Sequence, residues 1–238
     1  MAGYADLSVA RFFLPSPCDT PPGMNPIFDS ACRRCPRLAA FLDSVQLREP
    51  YYYCRPVPPF GDPAARLVIV GLAPGLHGAN RTGRPFTGDH AGILLYRTLY
   101  RFGLASGPVS DSATDGLTLN DARITNSVKC VPPANKPQPV EIKACNEYLR
   151  AELAASSSMR VILALGTIAH GAVLRACDLP AGQYRFAHGA EHRLRDDRVL
   201  IDSYHCSRYN TQTRRLTAEM FEAVIERARD LAQAGPLP

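Results

Sequence analysis

Four short strand-like segments, each followed by a helical pattern, constrain this chain more than any other feature. The first, Arg66-Leu-Val-Ile-Val-Gly71, is β-branched and closes on glycine, as a strand buried on both faces should. Residues 121–128, 160–165 and 198–204 read as the second, third and fourth strands, the third capped by Gly166. The helices expected between and after them cover residues 90–102, 139–152, 167–177 and 217–234. Strands that alternate with helices require right-handed crossovers and a parallel sheet covered on both faces. The expected class is therefore α/β, a three-layer α/β/α arrangement with a four-stranded, mainly parallel central sheet. Ligands bind such sheets outside the carboxyl ends of the strands. The segments meeting there would be residues 71–89, Asn126, Gly166 and His205.

The first 63 residues are rich in proline and glycine and show little periodicity, apart from a short helix expected over residues 36–45. Residues 1–30 read as an N-terminal extension and 31–234 as a single domain. No basic stretch followed by an apolar one opens the chain, and no apolar run is long enough to span a bilayer. A cytoplasmic protein without membrane contact is expected, and a monomer. The formal charge of +5 permits a polyanionic partner but does not require one.

Eight cysteines in a cytoplasmic chain point to metal or reactivity rather than to disulfides. Cys32 and Cys35, two residues apart, can reach one metal from a single turn. Cys130, in Lys-Cys-Val-Pro-Pro, and Cys145, on the next helix, complete a set of four. Four thiolates suit tetrahedral zinc or an iron–sulfur cluster, and spacing alone does not choose. Buried cysteines acting as small hydrophobes are the plainer alternative. Cys18, Cys54, Cys177 and Cys206 lack matching partners and read as structural.

The segment Gly71-Leu-Ala-Pro-Gly-Leu-His-Gly-Ala-Asn-Arg-Thr-Gly-Arg-Pro-Phe-Thr-Gly-Asp89 resembles the first motif of family 5 (type B) uracil-DNA glycosylases. Ser203-Tyr-His-Cys-Ser-Arg-Tyr-Asn-Thr-Gln-Thr-Arg-Arg-Leu-Thr217 is similar to that family's second motif. Cys32, Cys35, Cys130 and Cys145 match the cluster ligands shared by families 4 and 5. The resemblance runs from about residue 31 to 232. It implies a glycosylase that removes uracil, and often other deaminated bases, from DNA. It also implies a 4Fe-4S cluster with a structural role, and an enzyme associated with the nucleoid through its DNA substrate.

Breaking a base–deoxyribose bond sets definite requirements. The base must be flipped into a pocket, stacked, read at its edge, and its developing negative charge matched. Phe86 falls where the superfamily stacks an aromatic. The backbone of Leu72, Ala73 and Gly75 could present N–H groups to the base, with Gly75 permitting close approach. Residues 72–75 carry no polar side chain, so the resemblance puts the carboxylate at Asp89, to orient water and stabilise the sugar cation. Thr-Gly-Asp before an apolar helix is also an N-cap signature, and both roles can coexist. His205 could donate a hydrogen bond to a base carbonyl.

Arg81, Arg84, Ser207, Arg208 and Asn210 fall on loops suited to phosphate contact and duplex insertion. Asn126 departs from type B members, which often carry a small apolar residue there. Its amide could pair with uracil O4 and N3 and favour uracil over other bases. Two rivals stand beside uracil excision: a glycosylase mainly for hypoxanthine or xanthine, and an inactive iron–sulfur protein that only binds nucleic acid. No lysine stands where a Schiff-base nucleophile is expected.

Overall fold

The computed structural model describes residues 28–234. Most of the expected N-terminal extension, with Cys18, lies outside the described residues.

The four expected strands are present: β2 (Leu67–Gly71), β3 (Ala122–Asn126), β4 (Val161–Leu165) and β6 (Val199–Ser203). They pair in parallel in the order β3-β2-β4-β6. The sheet is nevertheless six-stranded. Short antiparallel strands β1 (Phe60–Gly61) and β5 (Glu191–Arg193) close its two edges, against β3 and β6. Two and three residues long, and only partly buried, they carry no extended alternation for a sequence pattern to register. Short edge strands also leave little open ladder to pair with another chain.

Seven α-helices cover the described chain: α1 (Pro36–Arg48), α2 (Ala79–Thr82), α3 (His90–Arg101), α4 (Pro139–Ala155), α5 (Thr167–Ala176), α6 (Arg208–Gln212) and α7 (Ala218–Gln233). Their starts follow local chemistry. Pro36 and Pro139 stand in the first turns of α1 and α4, where a missing N–H costs nothing. Gln138 and Glu141 form a capping box on α4, and the Thr217 hydroxyl accepts from the Met220 N–H at 3.2 Å to start α7.

Alternate residues of the central strands feed two separate cores. Leu67, Ile69, Ile124, Leu163 and Ile201 pack against α3 and α7. Val68, Val70, Ile162, Ala164 and Leu200 pack against α4 and α5. This is the three-layer arrangement, and it explains why β2, β4 and β6 are buried at every position. One charged pair sits inside: Lys129 Nζ lies 2.7 Å from Glu152, both almost fully buried. Among the described residues no helix is long and apolar enough to cross a membrane.

Phe221 of α7 is completely buried in the first core. Phe221→Ala is expected to lower stability by about 3–5 kcal/mol, read as a shift in the urea denaturation midpoint with the slope unchanged.

Candidate active site

The carboxyl ends of β2, β3, β4 and β6 lie side by side, and a cleft of about 380 Å³ opens there. Leu72, Ala73 and Gly75 line it from the loop after β2, Phe86, Asp89, His90 and Ala91 from the approach to α3, and His205, Ser207 and Arg208 from the segment after β6. A smaller cavity of about 200 Å³ shares Leu72 and His205 and is bounded by Gly166. The expected convergence at these strand ends is therefore present.

The Asp89 backbone occupies the N-cap of α3, but its side chain makes no capping hydrogen bond. The carboxylate turns back to accept the Ala79 N–H at 3.1 Å. It lies so close over the preceding loop that a Cβ on Gly75 would fall 2.1 Å from Oδ1, and one on Gly78 1.9 Å. These glycines leave the room that the carboxylate's approach requires. Burial raises the Asp89 pKa above its ordinary value, while the Ala79 and Gly75 N–H groups and the charge of Arg81 pull the other way.

Phe86 is held with φ +58°, a left-handed conformation unusual for an aromatic. Three neighbours fix it. A Cβ on Gly71 would meet the Phe86 ring at 2.6 Å, and one on Gly92 would meet its carbonyl at 1.9 Å. The Tyr96 hydroxyl donates to the Pro85 carbonyl at 2.6 Å. The Phe86 ring stacks on His205 with centroids 5.9 Å apart and planes 25° from parallel. Desolvation alone lowers the His205 pKa to about 4, so its imidazole is neutral near pH 7.

The other expected residues divide. Arg81 and Arg208 are exposed beside Asp89 and make no ion pair among the described residues. Arg84 is a correction: it is buried, donating to Thr87 at 2.8 Å and Ser110 at 2.7 Å, paired with Asp115 and stacked on Phe60. Its guanidinium ties the residue 84–87 turn to the residue 108–115 loop and is not available to phosphate. The segment at 207–210, expected as a loop, begins the short helix α6, whose N-cap is Ser207. Asn210 donates to the His205 carbonyl at 2.8 Å, so its amide braces the histidine from behind.

Asn126 pairs in register with Gly71 and is buried beneath it, beside the Phe86 ring, rather than on the cleft lining. Its Oδ1 has no hydrogen-bond partner among the described residues. Sequence reasoning missed Asn135, which lines the cleft opposite Asp89's loop. Two successive left-handed residues, Ala134 and Asn135, put it there. An asparagine inside Pro-Pro-Ala-Asn-Lys-Pro, just past the end of β3, was the available signal.

Cys32, Cys35, Cys130 and Cys145 gather at one place with Leu38, Val128 and Tyr148, all four as free thiols. Two clamps onto α4, one from α1 and one from the residue before the α1 N-cap, bring them together. Arg37 grips Glu141 with two hydrogen bonds of 2.7 Å, and Arg34 pairs with Glu147 while stacking on Tyr148. Burial raises the Cys145 pKa to about 11, and Cys130 is raised further by burial and by the other three sulfurs. Thiols gathered in this way, Cys145 buried and the other three half-buried, are the donor set a cationic centre would stabilise. The residues present thus fit a four-thiolate metal centre.

An NMR titration of the His205 imidazole should show protonation near pH 4, with Phe86→Ala moving it up toward 6.5 by admitting water. A wild-type midpoint near 6.5 would contradict the desolvation of the ring.

The sequence profile of the Uracil DNA glycosylase superfamily matches residues 58–229. The chain is 49% identical to the type-5 uracil-DNA glycosylase of Thermus thermophilus over 209 residues, 85% of this chain and 94% of that protein. It is 43% identical to the type-5 uracil-DNA glycosylase of Mycobacterium bovis over 211 residues, 85% of this chain and 79% of that protein. Identity to the type-4 uracil-DNA glycosylase of Archaeoglobus fulgidus is 37% but spans only 124 residues, 52% of this chain and 54% of that protein. With a half-buried carboxylate, a neutral histidine and a stacked aromatic at the sheet's carboxyl end, and with similarity of this extent, the chain belongs to the uracil DNA glycosylase superfamily, on its type-5 side.

Proposed function

We propose that this protein hydrolyses the N-glycosidic bond of uracil flipped out of DNA, leaving an abasic site for repair. The observation that carries the chemistry is the pairing of Asp89 and His205 across one cleft, beside Phe86. A base inside a duplex is out of reach, so it enters the cleft after flipping and stacks on an aromatic face. As the C1′–N bond breaks, its electron pair leaves on the base. The neutral His205 imidazole donates a hydrogen bond to the base carbonyl where that charge grows. Asp89, as a carboxylate, stabilises the sugar cation and orients water. The water oxygen bonds to C1′ and gives up its proton, for which Asp89 is the acceptor.

The remaining assignments follow the chemistry of each group. Backbone N–H groups of Leu72 and Ala73 face the base, whereas that of Gly75 is engaged by Asp89. Asn126, beneath Gly71 and off the cleft lining, is not assigned to the base edge; its orphaned amide oxygen lies beside the Phe86 ring. Arg81 and Arg208 flank the cleft mouth and supply phosphate contacts. No lysine lines the cleft among the described residues, which favours hydrolysis over a Schiff-base route with strand cleavage.

Cys32, Cys35, Cys130 and Cys145 would hold a 4Fe-4S cluster. When bound, it supplies a rigid cross-link between α1, the segment after β3 and α4. The residues' own contribution is to present four deprotonated sulfurs from three separated segments.

On duplexes carrying one uracil, alkali-revealed cleavage should fall at least about a hundredfold in Asp89→Asn and about tenfold or more in His205→Ala. Because Asp89 must be ionised, activity should be lost as pH falls through a pKa above the ordinary 3.8, and Asp89→Asn should remove that acid limb. Wild type inactive on uracil but active on hypoxanthine would transfer the reading to deaminated purines. Inactivity on both would leave nucleic-acid binding alone.

Protein purified without oxygen should contain iron and acid-labile sulfide in equal amounts. Cys145→Ser should lose both and melt about 5 °C lower, roughly 2 kcal/mol for a chain of this size. Zinc in place of iron and sulfide would overturn the cluster assignment.

A further inference from the structure

On the α5 side of the sheet, away from the four cysteines, three side chains from three elements meet: His170 of α5, His192 of β5 and Asp202 of β6. Asp202 is fully buried. Its Oδ1 lies 2.8 Å from His170 Nδ1 and its Oδ2 3.1 Å from His192 Nε2. No lysine or arginine pairs with this carboxylate among the described residues, so its charge is met only by what the two imidazoles carry. An unpaired carboxylate in such a place is expensive.

His170 makes the arrangement more specific. Its second nitrogen, Nε2, lies 3.0 Å from the Tyr184 carbonyl oxygen. Both ring nitrogens therefore face acceptors, and a neutral imidazole has one N–H for two of them. Donation from Nε2 to Tyr184 leaves the Nδ1 lone pair aimed at Asp202. Metal-binding histidines are held in this manner, one nitrogen donating to a backbone carbonyl and the other facing the ion. The three candidate ligand atoms all lie within 4.8 Å of one another. Tetrahedral zinc with nitrogen and oxygen ligands needs separations of about 3.3 Å, so the two short contacts open slightly and the two histidines draw together. Phe186 and Tyr184 wall the cluster edge-on to the rings, at 5.7 Å and 5.8 Å.

We propose that His170, His192 and Asp202 form a binding site for a divalent transition-metal ion of the zinc class, completed by water. Two histidines and one carboxylate suit zinc or ferrous iron and exclude magnesium and calcium, which take oxygen ligands. The ion would cross-link α5, the edge strand β5 and β6, three residues ahead of His205. It is independent of the glycosylase reading and of the cysteine centre.

Cobalt(II) is the probe, because nitrogen and oxygen ligands give its visible d–d bands without the thiolate charge-transfer bands of cysteine ligation. Full-length wild type should bind one equivalent more than His192→Ala, which leaves all four cysteines in place. The variant should bind that equivalent at least about tenfold more weakly. Zinc should raise the melting temperature of wild type and not of the variant. His192 is on a partly exposed edge strand. If His192→Ala loses its circular-dichroism signature, His192→Gln takes its place in the comparison. Equal cobalt stoichiometry in wild type and a folded variant, or only thiolate-type spectra, would overturn the site and leave a protonated His–Asp–His hydrogen-bond network.

Discussion

A parallel sheet buried on both faces has no lateral surface left for chemistry. In this protein β2, β4 and β6 are buried at every residue, so polar function is confined to where the strands stop. The loops at their carboxyl ends then carry everything: Gly71 opens the longest, Asn126 ends β3 beside it, and His205 leaves β6 within reach of both. The two helical layers make this frame stiff, and stiffness lets a carboxylate sit within van der Waals reach of a loop backbone.

That approach is the most demanding local feature of the site. Asp89 lies over Gly75 and Gly78, where any side chain would collide with it. Phe86 accepts a left-handed backbone, and Gly71 and Gly92 are cleared to let it. Strain of this kind costs on the order of 1–3 kcal/mol and persists only where surrounding packing imposes it. Here Tyr96, Arg84 and the residue 108–115 loop do so. Arg84 thus matters to the cleft as the brace of its wall, with its charge spent on Asp115.

Much of this was legible in the sequence, for identifiable reasons. β2 and β4 showed because burial on both faces leaves unbroken apolar runs, β3 and β6 because they fall in the same alternation with helices, and the helix starts showed because proline, threonine and a capping box act locally. Strands β1 and β5 did not show, since three residues or fewer form no pattern and depend on the neighbour they pair with. Arginine at 84 read as a phosphate ligand because its type permits that role. Its burial depends on Ser110 and Asp115, two dozen or more residues away. The His170–His192–Asp202 cluster was equally hidden, its members separated in sequence and joined only when β5 pairs with β6 and α5 packs on the sheet.

The sequence by itself determined the layer architecture, the place of the cleft, and the set of residue types that can act there, because periodicity and short motifs are properties of neighbours along the chain. Tertiary structure alone decided where the side chains point. It turned Asp89 from its own helix to the Ala79 N–H, stacked Phe86 on His205, set Asn126 beneath the cleft, brought Asn135 onto its lining, and folded α1 onto α4 so that four cysteines converge. Each of these depends on groups far apart in the chain meeting in a close-packed interior, where space and desolvation select among the partners that sequence leaves open.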